Sequence, residues 1–96
     1  MKIVWTEPAI HDLDNIHSYI SKDSARYASI LVEKILKSTD NLELFPLMGR
    51  VVPEEGMDSI REIFAHPYRI IYRISNTIEI LAVIHEARDI RIKEIL

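Results

Sequence analysis

The sequence predicts an α+β fold of two layers: an amino-terminal strand, an antiparallel helix hairpin, then a three-stranded antiparallel meander that completes one sheet. Three observations predict it. Apolar residues recur at helical spacing from Ala9 to Phe45 with a single break. Both glycines and two of the four prolines fall between positions 46 and 58. Beyond them, three runs rich in Ile, Val and Tyr follow one another across short connections. The order strand, helix, helix, three strands places both helices on one face of the sheet. The other face is expected to stay open.

Each element has its own signal. Ile3, Val4 and Trp5 form a short apolar run, and Thr6 with Pro8 marks a helix start because proline suits the first turn. Ala9, Leu13, Ile16 and Ile20 then draw one stripe along a helix of about four turns. "SKDS" breaks the stripe, and either Asp23 or Ser24 can accept from the open amides of a second helix. That helix carries Ala28, Leu31, Ile35, Leu42 and Phe45 until Pro46 stops it. From Pro46 to Asp58 no periodicity remains, so the stretch reads as loop. "IREIFA" alternates weakly and "YRIIYRI" strongly, while "IEILAVIHEA" is almost continuously aliphatic, as suits a central strand covered on both faces. "RDIRIKEIL" fits a helical turn or an extended tail equally well.

A chain of 96 residues with 48% hydrophobic and 28% charged side chains has the balance of one globular domain, spanning 1–96. It has no cysteine, which excludes disulfides and thiolate metal sites and favours an intracellular, cytoplasmic setting. "MKIVWTEPAI" has no long apolar run after its lysine, so it reads as neither secretory signal nor membrane anchor. The net charge of -3 argues against a protein that lives on phosphate contacts, and any nucleic-acid role has to rest on a local patch.

The strand "YRIIYRI" puts Arg69 and Arg73 on one face. If "SNT" is a three-residue turn, Ile78, Ile80, Ala82 and Ile84 join Ile70, Tyr72 and Ile74 under the helices, and Glu79 avoids unpaired burial. Arg73 then lies opposite Glu79, a cross-strand pair contributing roughly 0.2–1 kcal/mol. Arg69 lies opposite Val83, finds no carboxylate there, and has His85 on its side of the sheet. Over Ile71, Leu81 and Val83 this pair would make an anion site on the open face. The plainer reading of Arg69 is a hydrated surface arginine, or one paired with Glu86 or Asp89.

Taken together, these segments resemble the RelE/ParE superfamily of toxins from type II toxin–antitoxin systems, over nearly the whole chain. The resemblance rests on "DLDNIHSYI" after "WTEPAI", then "LELFPLMGRVVPE", "IREI", "YRIIYRI" and "IEILAVIHEARDI" in this order. "FPLMGR" and "VIHEARDI" are more similar to the ParE, or plasmid-stabilisation, branch. The resemblance implies the two-layer RelE/ParE-like fold and a toxin neutralised by a cognate antitoxin, in a hetero-oligomer, with no cofactor and no metal. The antitoxin's carboxy-terminal segment would wrap over the sheet and helices.

The two branches imply different chemistry. A RelE-like toxin cleaves messenger RNA on the ribosome: the ribose 2′-hydroxyl attacks the adjacent phosphate, which needs a proton acceptor, a proton donor and cations around the phosphorane. Arg69 matches a phosphate-binding arginine of that branch, and His85 would serve as acid or base. No lysine lies between Lys37 and Lys93 and no tyrosine follows Tyr72, so the basic pair and late tyrosine of those relatives are missing. A ParE-like toxin instead inhibits DNA gyrase by binding it, which needs no basic surface and agrees better with the charge. A toxin fold kept only as a binding partner is the third reading. Candidate contacts for antitoxin or target are Arg50, Arg61, Ile71, Arg73, Leu81 and Arg88.

Several residues have plain structural readings. His11 and His17 are six apart and do not stack on one helix face, so a metal site there is disfavoured. His66 is expected in the turn before "YRIIYRI", with an approach to Arg69 open to it. Gly49 is expected to supply a turn conformation closed to other residues, Arg50 to brace the loop, and Trp5 to join the core. "PEEG" reads as a solvated turn able to clamp a basic residue of the antitoxin.

Overall fold

A computed structural model describes residues 1–88. The expectations for Asp89 and the tail after it lie outside those residues. Strand β1 (Ile3–Trp5) leads into helix α1 (Glu7–Ser21) and helix α2 (Ala25–Asp40). Two 3-10 turns follow, Asn41–Glu43 and Pro46–Met48, and then strands β2 (Arg50–Val51), β3 (Ile60–Ala65), β4 (Tyr68–Ile74) and β5 (Ile78–His85). The sheet order is β1-β5-β4-β3-β2, with β1 parallel to β5 and the other pairs antiparallel. The α+β layout with its helix hairpin and meander is therefore as expected. The two-residue β2, inside the stretch read as loop, is an addition. No helix of the described residues is long and apolar enough to cross a membrane.

The helices start where side-chain oxygens replace missing backbone acceptors. Thr6 accepts from the Ala9 amide (3.3 Å) and Ser24, rather than Asp23, from the Tyr27 amide (3.1 Å), each cap contributing about 1 kcal/mol. Ala9, Leu13, Leu31 and Ile35 press onto Ile63, Ile70, Tyr72, Ile78, Ile80 and Val83 of the sheet, with Trp5 packed at the margin. Fully burying an aliphatic side chain such as Ile35 contributes about 1.5–3 kcal/mol, so this stripe dominates the stability of the hairpin. The stripe stops earlier than expected. Leu42 is buried, but Phe45 lies beyond the end of α2 and is exposed, because the chain has already turned into 3-10 geometry.

Register decides the rest of the sheet. Arg73 faces Glu79 as expected, with Nε and Nη2 donating to the carboxylate at 3.0 and 3.1 Å. Past that point β5 carries a bulge: Tyr72 faces Ile80 but Ile71 faces Ala82, leaving Leu81 as the extra residue. One added residue reverses the alternation beyond it. Val83 thus turns to the helices, while Ala82 and Ile84 turn away from them, opposite to the expectation. Arg69 faces Ile84 instead of Val83, and His85 faces Tyr68.

The face away from the helices is not open. Val52, Ile60, Ile71, Leu81 and Ala82 form a second buried cluster flanked by Ile84. Val52 belongs to the segment read as featureless loop, and it closes over the sheet by donating its amide to the Ile60 carbonyl (3.1 Å).

Candidate functional site

The two arginines of "YRIIYRI" have both been given carboxylates by the fold. β3 and β4 are joined by the His66–Pro67 turn, which contains a cis peptide bond and sets Phe64 opposite Arg69 and Glu62 opposite Ile71. Glu62 is thereby a diagonal neighbour of Arg69 on one face and stands directly opposite Arg50 of β2. One oxygen of Glu62 accepts from Arg69 Nε and the other from Arg50 Nε. Arg69 reaches on to Glu54 through both terminal nitrogens, each at 2.9 Å, and Nη1 also donates to the Arg88 carbonyl (3.2 Å). Arg69 and Glu62 are 5% and 1% exposed.

This chain of Arg50, Glu62, Arg69 and Glu54 is a structural brace in its own right. A buried carboxylate or guanidinium is costly unless its charge and its hydrogen bonds are met, and here they are. The Glu54 hydrogen bonds, reinforced by Glu62 and opposed by desolvation, raise the Arg69 pKa still further above its usual value, so the guanidinium stays charged. Four of its five N–H groups are used, which leaves little for an outside anion. The expectation of an Arg69 without an internal carboxylate is corrected: its partners are Glu62 and Glu54, not Glu86 or a hydration shell. Glu86 pairs with His66 Nδ1 at 3.0 Å, so His66 does not approach Arg69.

The Arg69–His85 pairing is not assembled either. After the bulge His85 is exposed on the side of Tyr68, whose ring it meets edge-on with centroids 5.8 Å apart. Its Nδ1 accepts from the Ala87 amide (3.1 Å). The two residues point to opposite faces of the sheet.

The contact candidates also separate. Ile71 and Leu81 are buried in the second cluster and cannot touch a partner on the described surface; Val52 and its segment have taken that place. Arg73 is tied to Glu79, whose own pKa is lowered chiefly by that hydrogen bond. Arg61 donates to the carbonyls of Asp58 (2.9 Å) and Gly49 (2.9 Å). Arg50 is exposed, braces Glu62 as the loop reading implied, and lies over the Phe64 ring at 5.2 Å. Arg88 is exposed.

Gly49 is needed for space and not for conformation. Its φ of -75° is ordinary, but a Cβ there would stand 2.5 Å from the Tyr72 hydroxyl and 2.6 Å from the Glu62 carbonyl. Tyr72 explains the closeness: its buried hydroxyl donates to the Pro46 carbonyl (2.6 Å) and accepts from the Gly49 amide (3.0 Å), fastening the linker to the sheet. Burial raises the Tyr72 pKa, against the opposing Gly49 bond and Arg61 charge. Within "PEEG", Glu54 clamps a basic residue of its own chain. His11 contacts Asn15, whereas His17 contacts Ser21 and Ser29, so the two histidines share no partner.

Sequence reasoning overlooked Glu62, Glu54 and the exposed run Leu44, Phe45, Leu47 and Met48. The signal for Glu62 was available: a two-residue turn at His66–Pro67 places positions 62 and 69 diagonally across the hairpin.

Comparison with known proteins agrees with this architecture. A family model described as the ParE toxin of type II toxin–antitoxin system, parDE, matches residues 3–90. The toxin candidate Y4kP of Sinorhizobium fredii (strain NBRC 101917 / NGR234) is 40% identical over 86 residues, spanning 88% of this chain and 86% of its own length. A chain of the chromosomal ParDE TA system from P. aeruginosa superposes with a TM-score of 0.73 at 24% identity, covering 88% of this chain and 95% of its own. One from the toxin–antitoxin complex RelBE2 of Mycobacterium tuberculosis does so with a TM-score of 0.55 at 24% identity and the same coverages. At these identities the structural likeness shows the fold alone.

Proposed function

Because the chain belongs to the ParE toxin family of type II toxin–antitoxin systems, we propose that it arrests growth by binding DNA gyrase and that a cognate antitoxin neutralises it. The observation that carries the choice of target is the commitment of Arg69. Strand scission by a 2′-hydroxyl needs cations free to stabilise a phosphorane and an acid or base beside them. Arg69 instead has four of its five N–H groups committed to Glu62, Glu54 and the Arg88 carbonyl, and His85 points to the opposite face of the sheet. A protein-binding inhibitor needs neither group free, and a chain with a net charge of -3 is suited to a protein target.

The test is a pair of assays on the purified chain. Gyrase supercoiling is expected to fall, with cleaved DNA complexes accumulating, while messages on translating ribosomes stay intact. Ribosome-dependent message cleavage with unimpaired supercoiling would reverse the assignment.

A further inference from the structure

We propose that Arg61 and the exposed apolar run beside it form the surface through which the chain engages its protein target, and that the target segment received there carries a carboxylate next to apolar side chains. The inference rests on the reading that the chain acts by binding a protein.

β3 and the linker before β2 hold the cation in place. Arg61 is half-buried, and its guanidinium is pinned by three backbone carbonyls: Nε donates to Asp58 (2.9 Å), and Nη1 to Gly49 (2.9 Å) and Leu47 (3.5 Å). Arg50, Arg69 and Arg73 each meet a carboxylate. Among the described residues Arg61 meets none at ion-pairing distance, the Asp58 side chain included. Carbonyl dipoles orient the guanidinium without cancelling its charge, which acts as far as the Tyr72 hydroxyl. Nη2 has no partner among the described residues, and no buried side-chain nitrogen there lacks one, so Nη2 faces solvent. Its N–H groups can meet an incoming carboxylate, and because the side chain is already held, little rotamer entropy is lost when they do.

The surroundings say what accompanies the carboxylate. Leu47, whose carbonyl Arg61 holds, is 66% exposed, and Leu44 and Phe45 are 77% and 61% exposed. Met48 and Met57 are exposed on the two segments that Arg61 joins. Phe45, Leu47 and Met48, with Asn41 and Pro46, line a cleft of about 560 Å³ with no charged side chain in its wall. Apolar exposure of this kind marks a contact surface, and methionine lets it adapt to its partner. The run is also held firmly, because the Tyr72 hydroxyl joins the Pro46 carbonyl to the Gly49 amide. An arginine fixed at the margin of a rigid apolar patch has the make-up of an interface anchor, whose ion pair strengthens as water is excluded. A nucleic acid strand would need further cations beside Arg61, and the cleft wall supplies none.

The test sets opposite charges at one exposed position. Leu47→Glu puts a carboxylate beside Arg61, where it occupies the guanidinium and repels the incoming acid, whereas Leu47→Lys keeps an aliphatic stem and adds a cation. With purified chains, Leu47→Glu is expected to weaken inhibition of gyrase supercoiling by about tenfold and Leu47→Lys by about threefold at most. Arg61→Gln, which keeps a donor for the carbonyls but has no charge, should match the Glu variant and lose the salt dependence of the parent. Urea midpoints show that the variants are folded, and the Leu47 pair decides alone where Arg61→Gln is not. Growth arrest on induced expression should rank the chains in the same order. The proposal fails if Glu and Lys weaken arrest equally, or if every variant arrests growth as the parent does. It also fails if the variants keep arresting growth but escape the antitoxin, which gives the surface to the antitoxin, or if the parent is a dimer that Leu47→Glu separates, which gives it to a second copy. A parent that arrests growth without inhibiting gyrase overturns the gyrase assignment alone, and the difference between Glu and Lys in growth arrest still judges the surface. A parent that does neither overturns both.

Discussion

Glu62 and Arg69 lie diagonally across the β3–β4 hairpin, and the carboxylate that meets Arg69 Nε on one oxygen meets Arg50 Nε on the other. Arg69 then reaches Glu54, so four side chains tie β2, β3, β4 and the segment after β2 into one unit. Such an arrangement adds little over an apolar core of equal volume. Breaking it by removing a single member is expensive, because a buried charge is left without its partner.

Arg69→Ala is accordingly expected to lower stability by about 3–5 kcal/mol, a large share of what a small domain has. Arg69→Lys should recover only part, since an ammonium cannot span Glu54 bidentately while also meeting Glu62. Urea unfolding followed by Trp5 fluorescence measures both. Growth inhibition should fall in step with the folded fraction. If Arg69→Ala keeps the parental midpoint yet is no longer toxic, the side chain acts directly on a target and the brace is secondary.

Tyr72→Phe should cost about 1–3 kcal/mol, because it strands the Pro46 carbonyl and the Gly49 amide where the hydroxyl had joined them. The local consequence is sharper than the global one. Exchange of the Gly49 amide should accelerate well before the helices open, and equal exchange in parent and variant would count against the fastening role.

The helices and the Arg73–Glu79 pair were legible because each follows from a local rule, apolar spacing in one case and turn length in the other. Arg69 was not legible, for two reasons. Its partner Glu54 sits in a segment with no periodicity, so nothing in the sequence directed that carboxylate to the sheet. The bulge at Leu81 falls within "LAV", which has neither glycine nor proline to announce it, and it moved His85 to the other face. β2 escaped notice because two residues are too few to show alternation.

Asp12 offers a pH test. Its pKa is raised above the ordinary 3.8, mainly by burial, with the Val83 amide and the charges of His11 and Arg88 opposing. The folded state therefore holds this proton more tightly than the unfolded state. Its contribution is full below the ordinary value and is lost as pH rises through the folded one. Asp12→Asn keeps an acceptor for Val83 and removes the titration, so its stability relative to the parent should improve as pH rises from the ordinary 3.8 through the raised folded-state pKa. Asp12→Ala also removes the titration but loses the acceptor, so it should lie about 1 kcal/mol below the Asn variant throughout. Parallel pH profiles for parent and Asn variant would show that the carboxylate does not titrate differently on folding.

The two glycines should fail for different reasons when replaced by alanine. Gly56 has φ +71° with nothing within 4 Å of a new Cβ, so Gly56→Ala carries only the left-handed backbone cost of about 1–2 kcal/mol. Gly49 has an ordinary backbone, but a Cβ there collides with the Tyr72 ring and hydroxyl and with the Glu62 backbone. The sheet or the linker must shift, and overpacking of this kind costs about 1–3 kcal/mol, with the loss of the Tyr72 bonds in addition. Adding Tyr72→Phe removes the hydroxyl clash but leaves the Glu62 carbonyl 2.6 Å away. The double variant should therefore be more stable than the sum of the single effects allows, while staying below either parent glycine form. Strict additivity in urea midpoints would mean that the linker yields without disturbing Tyr72, and the close fit between Gly49 and the sheet would then not be what selects glycine there.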